Sequence, residues 1–300
     1  MKDFLIKPNV DDMVADLHQG RQQGEPCGIL ALAENFAWMR TFQYCFTGHP
    51  GYGKTTFLMM LLLVKSIQDG WKHCIWTPEM MSSKQGTVTV NDFFDDLVNM
   101  LTGKITDKAR AEKYEKPCIT EKEYREAMEF LEKHFFVIFP RKQTPDMIID
   151  TFNYFHDLHK FDTFSIDPYK SLIHSETNKI YSDRMEELFS KFKYVAIRHD
   201  CVVNWVAHPR RDANFKNQDG SFKVCDEYML SGGAAWANSM DVICAVHRPE
   251  MHDSKTSPNV QFHVHKVRKQ QRIGVRPGVV DYIQFDWPTQ RYWFGNTCSL

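Results

Sequence analysis

A glycine-rich segment of this 300-residue chain carries the residue types that bind phosphate. Residues 47–56 read Thr-Gly-His-Pro-Gly-Tyr-Gly-Lys-Thr-Thr, and apolar runs at 44–46 and 57–63 flank them. Small residues let consecutive backbone N–H groups turn towards a triphosphate, and a helix that follows points the positive end of its dipole at the same anion. Lys54 then reaches the outer phosphates, while the Thr55 hydroxyl can bind Mg²⁺. The predicted contacts to the nucleotide come from Gly48, Pro50, Gly51, Gly53, Lys54, Thr55 and Thr56.

Two acidic residues end strands that are predicted downstream of this loop. Glu79 follows the apolar stretch 72–77, and a carboxylate at the tip of a strand beside a phosphate loop is well placed to polarise an attacking water. Asp167 ends the apolar stretch 163–167, the usual place for the carboxylate that holds the water shell of Mg²⁺. We therefore predict that Glu79 is a catalytic base and that Asp167 supports the metal. A solvated loop glutamate is the alternative for Glu79.

A histidine and a polar loop follow the strand predicted at 201–207. At the end of another parallel strand, His208 is placed to sense the γ-phosphate and to report its loss to the loop behind it. The alternative is an ordinary surface histidine. Residues 210–228 are rich in Arg, Lys, Asn, Asp and Gly, which predicts a mobile loop.

Composition and charge exclude several classes of protein. The 37 basic and 38 acidic side chains give a net charge of -1, so a surface that binds nucleic acid must be local. The eight cysteines never form a Cys-x-x-Cys pair, which argues against a zinc ribbon and predicts buried thiols in a reducing compartment. There is no signal peptide, and the longest apolar run, 57–64, is too short to cross a bilayer. These features predict a soluble intracellular protein that does not bind a membrane.

Alternating strands and helices predict an α/β fold with a mostly parallel central sheet flanked by helices. At this length the chain can hold one large α/β domain or two small ones. Two late strands, 260–268 and 279–287, are joined by a basic turn and predict a closing antiparallel hairpin. Strands of the parallel part are predicted at 44–46, 72–77, 135–139, 163–167, 201–207 and 241–248.

The amino-terminal segment is predicted to be a helix followed by a linker. Asn9 can cap an amphipathic helix that Gly20 ends, and this helix needs a surface to lie on, either its own domain or a neighbouring subunit. Residues 20–29 read as a linker. Residues 30–40 are predicted to form a surface helix before the strand that leads into the phosphate loop.

A polar, helical segment interrupts the alternation at 84–133. Within it, Thr120 and Glu123 have the spacing of a capping box that opens a helix. The predicted organisation is therefore an amino-terminal amphipathic helix and linker, 1–24, followed by one nucleotide-binding domain, 25–300, that contains the helical insert.

Taken together and in order, these motifs resemble the ATPase domain of the replicative hexameric helicases, the DnaB-like superfamily 4 group, and within it the Twinkle and phage primase-helicase branch. The resemblance covers residues 25–295. It implies a RecA-like P-loop NTPase core that assembles into a six-membered ring around one DNA strand and hydrolyses ATP with Mg²⁺. The segments that carry it are 48–55, 78–80, 166–169, 206–210, 231–236, 246–248 and 266–268.

The resemblance also implies roles for individual residues. Lys266 and Arg268 would reach into the neighbouring protomer's nucleotide as the piston lysine and the arginine finger, so that hydrolysis depends on assembly. Arg248 and Phe285 would sandwich the base. The loop after His208 would grip the DNA backbone through Arg210, Arg211, Lys216 and Lys223. The catalytic residues would be Lys54, Glu79, His208 and Arg268.

The chain also departs from the family's pattern. His208 stands where the bacterial helicases carry glutamine, which favours the primase-helicase branch. No zinc ribbon, primase domain or full amino-terminal helical domain precedes the ATPase, which predicts a separate primase and a separate loader as partners. The resemblance implies an ATP-dependent replicative DNA helicase that works on single-stranded DNA as a homo-hexamer. It would act in the cytoplasm, at the nucleoid or replication fork, or in the host cytoplasm if the protein is viral.

Two other functions fit the same motifs. A RecA-like recombination or repair ATPase shares the core but forms open filaments, which electron micrographs distinguish from closed rings. A small-molecule phosphotransferase needs a lid and an acceptor pocket, for which 84–133 is the only candidate segment. An ATPase activity that is indifferent to single-stranded DNA would favour this last function.

Overall fold

A large mixed sheet organises the computed structural model, which describes residues 6–20, 24–84, 87–172, 181–212 and 215–300. The strands of these residues are β1 Glu25–Pro26, β2 Ala37–Trp38, β3 Gln43–Thr47, β4 His73–Trp76, β5 Ser82–Lys84, β6 Thr87–Thr89, β7 Phe135–Val137, β8 Thr163–Ile166, β9 Val202–Ala207, β10 Val242–His247, β11 Asn259–Val267, β12 Gly278–Asp286, β13 Arg291–Phe294 and β14 Thr297–Cys298. One sheet has the order β14-β13-β12-β11-β10-β3-β9-β8-β4-β7. The pairs β1–β2 and β5–β6 form separate ribbons.

Six neighbouring strands of the main sheet are parallel. They are β10, β3, β9, β8, β4 and β7. Every residue of β3, β4, β8, β9 and β10 is buried, because helices cover a parallel sheet on both faces. The prediction of an α/β fold with a mostly parallel central sheet is therefore confirmed.

The antiparallel end of the sheet is larger than the predicted hairpin. β11 pairs antiparallel with β10, and β12, β13 and β14 continue the antiparallel arrangement in turn. The predicted hairpin corresponds to β11 and β12. The sequence does not predict β13 and β14, because strands of 4 and 2 residues are too short to show an alternating pattern.

Helices cover both faces of the sheet. In the described residues they are α1 Val10–Gln19, α2 Lys54–Asp69, α3 Asn91–Thr102, α4 Lys108–Lys113, α5 Glu121–His134, α6 Pro145–His159, α7 Tyr181–Arg198, α8 Gly233–Ser239 and α9 Gln270–Ile273. One apolar core includes side chains of α2, α3 and α5, and a second core includes side chains of α6, α7 and α8. Thr120 and Glu123 form the predicted capping box of α5. The start of the helix predicted to lead into α7, near residue 178, lies outside the described residues.

The segment 30–40 does not form the predicted surface helix. It contains a single 3₁₀ turn, Leu30–Leu32, and then enters β2. Leu32, Phe36 and Trp38 are at most 1% exposed, and the rings of Phe36 and Trp38 pack edge to face with centroids 4.8 Å apart. Burial of large aromatic side chains contributes far more than the helix propensity of a short segment, which explains the difference.

Helix α1 has the predicted caps, but none of its residues is buried. The Asn9 side chain accepts a hydrogen bond from the Asp12 backbone N–H, and Gly20 follows the helix with a φ of 84°. The apolar side chains of α1 are exposed, from 46% for Val14 to 81% for Leu17. The helix therefore presents a free apolar face within the part of the chain that the structure describes.

All eight cysteines lie within the described residues and are unpaired thiols. Burial raises the pKa of the Cys27 thiol to about 11 and that of the Cys201 thiol to about 12, so these groups stay protonated and unreactive near neutral pH. The prediction of buried, reduced thiols is confirmed at Cys27, Cys45, Cys74, Cys201, Cys225 and Cys244. No helix among the described residues is both long and apolar enough to cross a bilayer.

We expect mild acid to destabilise the fold through His73, which is fully buried beneath α2. Its ring bonds the Thr163 hydroxyl at 2.9 Å and the Leu62 carbonyl at 2.9 Å, and burial lowers the pKa of His73 from 6.5 to about 3. Below pH 6.5 the unfolded chain therefore binds a proton that the folded chain does not, and stability falls as the pH falls towards 3. Between pH 7 and pH 5 this one group should cost about 2 kcal/mol.

Urea unfolding at the two pH values tests this expectation. The variant His73→Gln should be less stable than the wild type at pH 7, but should lose about 2 kcal/mol less on going to pH 5. His18→Gln, on the exposed helix α1, is the matched control and should keep the wild-type pH dependence. An unchanged pH dependence in His73→Gln would contradict the assignment.

Candidate nucleotide site

Four neighbouring strands bring the candidate catalytic side chains to one edge of the sheet. Lys54, His208, Asp167 and Glu79 come after β3, β9, β8 and β4, which are consecutive parallel neighbours in that order. Parallel strands end at the same edge, which is where ligands bind in open α/β sheets. Lys54, Glu79 and His208 line one cavity of about 280 Å³.

One expectation about this edge is wrong. Glu79 was expected on the strand beside the phosphate-loop strand, but β9 and β8 separate β4 from β3. The direct neighbour of β4 at this point is β8, and the Asp167 backbone N–H donates to the Trp76 carbonyl at 2.9 Å. Glu79 therefore belongs next to Asp167. It lies exposed at the cavity, where water reaches it.

The glycines of the phosphate loop are required by its geometry. Gly48 has a φ of 146°, and a Cβ added there would lie 2.4 Å from the Val246 carbonyl oxygen. Gly51 and Gly53 have φ values of 77° and 86°, in the left-handed region that favours glycine. Gly53 directly precedes α2, so the loop closes over the positive end of the helix dipole. The exposed Pro50 lies at the tip of the loop.

Lys54 is held inside this loop. Its side chain is buried, with 4% of the residue exposed, and Nζ donates to the His49 carbonyl at 3.1 Å. Burial lowers the pKa of Lys54 to about 8, against the opposing charges of Asp167 and Glu79. A phosphate in the loop would supply the negative charge that a buried ammonium group needs.

Asp167 and Thr55 present two oxygen atoms side by side. Asp167 is 3% exposed, and the Thr55 hydroxyl donates to its carboxylate. Burial raises the pKa of Asp167 to about 6, while the Thr55 hydrogen bond and the Lys54 charge oppose that rise. Among the described residues no group of three or more His, Cys, Asp or Glu could hold a metal on its own. Two oxygen ligands nevertheless fit Mg²⁺, which takes its other ligands from phosphates and water.

His208 has an unused polar atom. Its Nδ1 is buried and has no hydrogen-bond partner among the described residues. Burial, followed by the nearby Lys54 charge, lowers the pKa of His208 to about 4, so the ring is neutral at pH 7. A buried, unpaired donor or acceptor that lines a cavity is ready to bond a ligand there.

A second cavity, of about 270 Å³, adjoins the phosphate loop. The predicted base-binding residues Arg248 and Phe285 both line it, and Arg248 is held by a hydrogen bond from Nη2 to the Ser257 carbonyl. Two further aromatic residues on its wall, Trp287 and Tyr292, are absent from the sequence predictions. The dense aromatic content of 285–293 is the signal that could have indicated them.

Lys266 and Arg268 lie at the opposite edge of the sheet. Lys266 pairs with Ile243 near the start of β10, and the Arg268 backbone N–H donates to the Asp241 carbonyl at 2.7 Å. Nη1 of Arg268 lies 3.4 Å from Oδ1 of Asp241, and Nη2 donates to the Asn238 carbonyl. β10 runs parallel to β3, so the start of β10 is remote from the phosphate loop at the end of β3. Neither residue lines the two cavities described above.

The predicted DNA-binding loop touches the phosphate loop. The His49 ring bonds the Lys223 carbonyl at 2.9 Å, and its centroid lies 4.3 Å from that of Phe222. Nζ of Lys216 lies 5.0 Å from the centroid of the Phe222 ring. Arg210 donates to the Tyr228 carbonyl at 3.2 Å, and Arg211 is exposed. Residues 213 and 214 of this loop lie outside the described residues.

Two solved structures share this architecture. One is the ATPase domain of a DnaB-like replicative helicase, which superposes with a TM-score of 0.75 over 96% of this chain and 99% of that chain, at 16% identity. The other is a DnaB-like replicative helicase solved in a study of its interactions with primase. It superposes with a TM-score of 0.74 over 97% of this chain and 68% of that chain, at 15% identity. This chain has the fold of a DnaB-like helicase ATPase domain. The resemblance read from the sequence is confirmed at the level of the fold.

A curated relative points to the Twinkle branch of the DnaB-like group. The Twinkle homolog protein, chloroplastic/mitochondrial, of Arabidopsis thaliana is 32% identical to this chain over 104 residues, which is 34% of this chain. The match spans only 14% of the length of that relative. No family model matches the chain. The DnaB-like fold is therefore established by the structure rather than by sequence similarity.

Proposed function

We propose that this chain is the ATPase domain of a replicative DNA helicase, a hexameric ring that moves along single-stranded DNA and unwinds duplex DNA by hydrolysing ATP. One observation carries the proposal. Lys54, Asp167 and Glu79 meet at one edge of the sheet, whereas the cationic Arg268 lies at the other edge, out of reach of its own protomer's nucleotide.

In this proposal the residues of the cavity divide the work of hydrolysis. Lys54 leaves the His49 carbonyl and stabilises the negative charge on the outer phosphates. Glu79, which is exposed to water, orients and polarises the attacking water molecule. The neutral His208 ring bonds the γ-phosphate through its unpaired Nδ1 and loses that bond after hydrolysis.

The metal and the base have their own contacts. Mg²⁺, arriving with ATP, would neutralise phosphate charge, and the Thr55 hydroxyl and Asp167 carboxylate would hold it with its water shell. The base would lie between Arg248 and Phe285 in the adjoining cavity. Gly48, Pro50, Gly51, Gly53 and Thr56 would contact the phosphates from the loop.

Assembly completes the site. A protomer that has its phosphate loop at one edge and Lys266 and Arg268 at the other can donate these cations to a neighbour only in a head-to-tail arrangement. Head-to-tail contacts close into a ring when the rotation between protomers allows it. We propose a closed ring of six, in which the arginine of one protomer stabilises the transition state in the next.

The loop that follows His208 is the proposed grip on DNA. Arg210, Arg211, Lys216 and Lys223 would bind backbone phosphates, which predicts weak sequence preference and strong salt dependence. The contact between His49 and the Lys223 carbonyl supports a connection between this loop and the nucleotide. The DnaB-like helicase with the same fold was studied for its interactions with primase, and we propose a separate primase, together with a loader, as partners of this chain at the replication fork.

A phosphotransferase function is less well supported. Its candidate lid, the segment that contains α3, is part of the core, since Phe93 and Leu97 are each 1% exposed. The side chain of Arg291 also donates to the carbonyls of Met100 and Leu101, both at 2.7 Å. A helix fixed in this way is a poor lid.

The deciding experiment combines native mass spectrometry with activity assays. The proposal expects a hexamer that hydrolyses ATP faster in the presence of single-stranded DNA and separates a forked duplex only with ATP and Mg²⁺. Open filaments in electron micrographs would favour a recombination ATPase instead. ATP turnover by dilute monomer, unaffected by DNA, would overturn the helicase proposal.

We expect Arg211→Ala to weaken binding of single-stranded DNA several-fold without affecting nucleotide affinity. Loss of one phosphate contact should make the slope of log K against log salt less negative by about 0.7. Fluorescence anisotropy of a labelled oligonucleotide between 50 and 200 mM salt, roughly the range over which such contacts are screened, measures both quantities. Arg276→Ala removes an exposed arginine at a remote turn and should leave both unchanged. A slope identical to that of the wild type would remove Arg211 from the DNA surface.

A further inference from the structure

The two cavities of the nucleotide site share one wall. The phosphate cavity contains Lys54 and the base cavity contains Phe285, and five residues line both cavities. The shared residues are Gly51, Gly53, Thr56, Asp96 and Gln290. Among these shared residues Asp96 alone is charged.

Asp96 is held firmly in this position. It lies on α3, and Nε2 of Gln290 donates to its Oδ1. The end of α3 is in turn fixed by Arg291, which bonds two of its carbonyls. The described residues give Oδ2 of Asp96 no hydrogen-bond partner. A carboxylate oxygen is therefore free to accept hydrogen bonds at the boundary between the cavities.

The neighbouring carboxylate shows that this arrangement is not a general property of α3. Asp95 accepts a hydrogen bond from the Tyr124 hydroxyl at 2.9 Å, which ties α3 to α5. Asp95 lines neither cavity. The two adjacent aspartates thus have different surroundings, and only one of them faces the nucleotide site.

A nucleotide that spans both cavities must place its sugar at their shared wall. The phosphates lie on the Lys54 side and the base on the Phe285 side, so the ribose crosses the position of Asp96. The 2′ and 3′ hydroxyl groups of ribose are hydrogen-bond donors, and a carboxylate accepts from them well. We propose that Asp96 accepts hydrogen bonds from the ribose hydroxyls and makes the site select ribonucleotides over nucleotides that lack these groups.

This inference rests on the nucleotide site of the proposed function, but not on helicase activity. The test is calorimetric binding of ADP and of 2′,3′-dideoxy-ADP with Mg²⁺ and without DNA. Burial raises the pKa of Asp96 to about 6, so the titrations belong at pH 8, where the carboxylate is ionised. The wild type should bind ADP about tenfold more tightly than the dideoxy nucleotide, the effect expected of a hydrogen bond to a charged group.

The variant Asp96→Asn keeps an oxygen that accepts from Gln290 and removes the anionic acceptor. It should bind ADP about as weakly as the dideoxy nucleotide and leave dideoxy binding within about twofold of the wild type. Asp95→Asn is the matched control and should keep the wild-type preference.

Three outcomes would overturn the assignment of Asp96. They are equal binding of both nucleotides by the wild type, an unchanged preference in Asp96→Asn, and an equal loss of both affinities in Asp96→Asn. None of them bears on unwinding. A chain that shows the expected preference but is not stimulated by DNA would keep the sugar contact and lose the helicase proposal.

Discussion

Replacing Lys54 by alanine should reduce ATP hydrolysis by at least about 10³-fold. The ammonium group is buried inside the phosphate loop and already has a pKa lowered to about 8 by burial, so the site is built to receive a compensating anion. Without it, the charge that builds up on the phosphates in the transition state meets only backbone N–H groups. Steady-state phosphate release, with and without single-stranded DNA, measures the effect.

Lys255→Ala is the control for this experiment, because it removes an exposed lysine from a loop distant in sequence from the phosphate loop. It should hydrolyse ATP at the wild-type rate. Thermal unfolding and circular dichroism establish that Lys54→Ala is folded. Turnover by a folded Lys54→Ala protein at more than about a tenth of the wild-type rate would contradict the role given to the phosphate loop.

Arg268→Ala should retain nucleotide binding and lose DNA-stimulated hydrolysis by about 10³-fold. The side chain is 42% exposed and bonds only to Asp241 and Asn238 in its own protomer, at the edge of the sheet remote from the phosphate loop. An arginine that serves a neighbour's transition state leaves ground-state binding nearly untouched when it is removed. Calorimetric ADP binding and ATPase rates on the same preparation separate the two effects.

Mixing the two inactive variants distinguishes action on a neighbour from action within one protomer. A ring that contains both Lys54→Ala and Arg268→Ala protomers has interfaces at which an intact phosphate loop meets an intact arginine. Hydrolysis should therefore reappear on mixing, whereas each variant alone is inactive. Arg276→Ala, an exposed arginine paired with Glu34, is the matched control and should be fully active. Mixtures that stay inactive would place the catalytic role of Arg268 within its own protomer or nowhere.

The candidate site could be predicted from the sequence to the extent that it depends on strand ends. Lys54, Asp167 and His208 each follow an apolar run, and the rule that parallel strands end at one edge brings them together without knowledge of the strand order. The order itself is a long-range property. For this reason the placement of Glu79 beside the phosphate-loop strand is wrong, although Glu79 still reaches the same cavity.

Other features required tertiary contacts that no local pattern contains. Trp38 sits in a segment with helical character, yet burial among aromatic rings places it in a strand. Trp287 and Tyr292 join the base cavity because β12 and β13 pair, and β13 is too short to be recognised. Asp96 faces the nucleotide site only because β13 anchors α3. The sequence indicated the chemistry of the site, and the distant strand pairings determined which additional side chains take part.

His49 has contacts on two sides, and these connect the two ligands of the protein. Its carbonyl accepts the Lys54 ammonium group, while its ring bonds the Lys223 carbonyl of the loop proposed to hold DNA. Thermodynamic reciprocity then applies: by whatever factor a bound strand alters the affinity for nucleotide, nucleotide alters the affinity for the strand. Each turnover would therefore change how tightly the strand is held, and a single imidazole side chain is enough to couple the two equilibria.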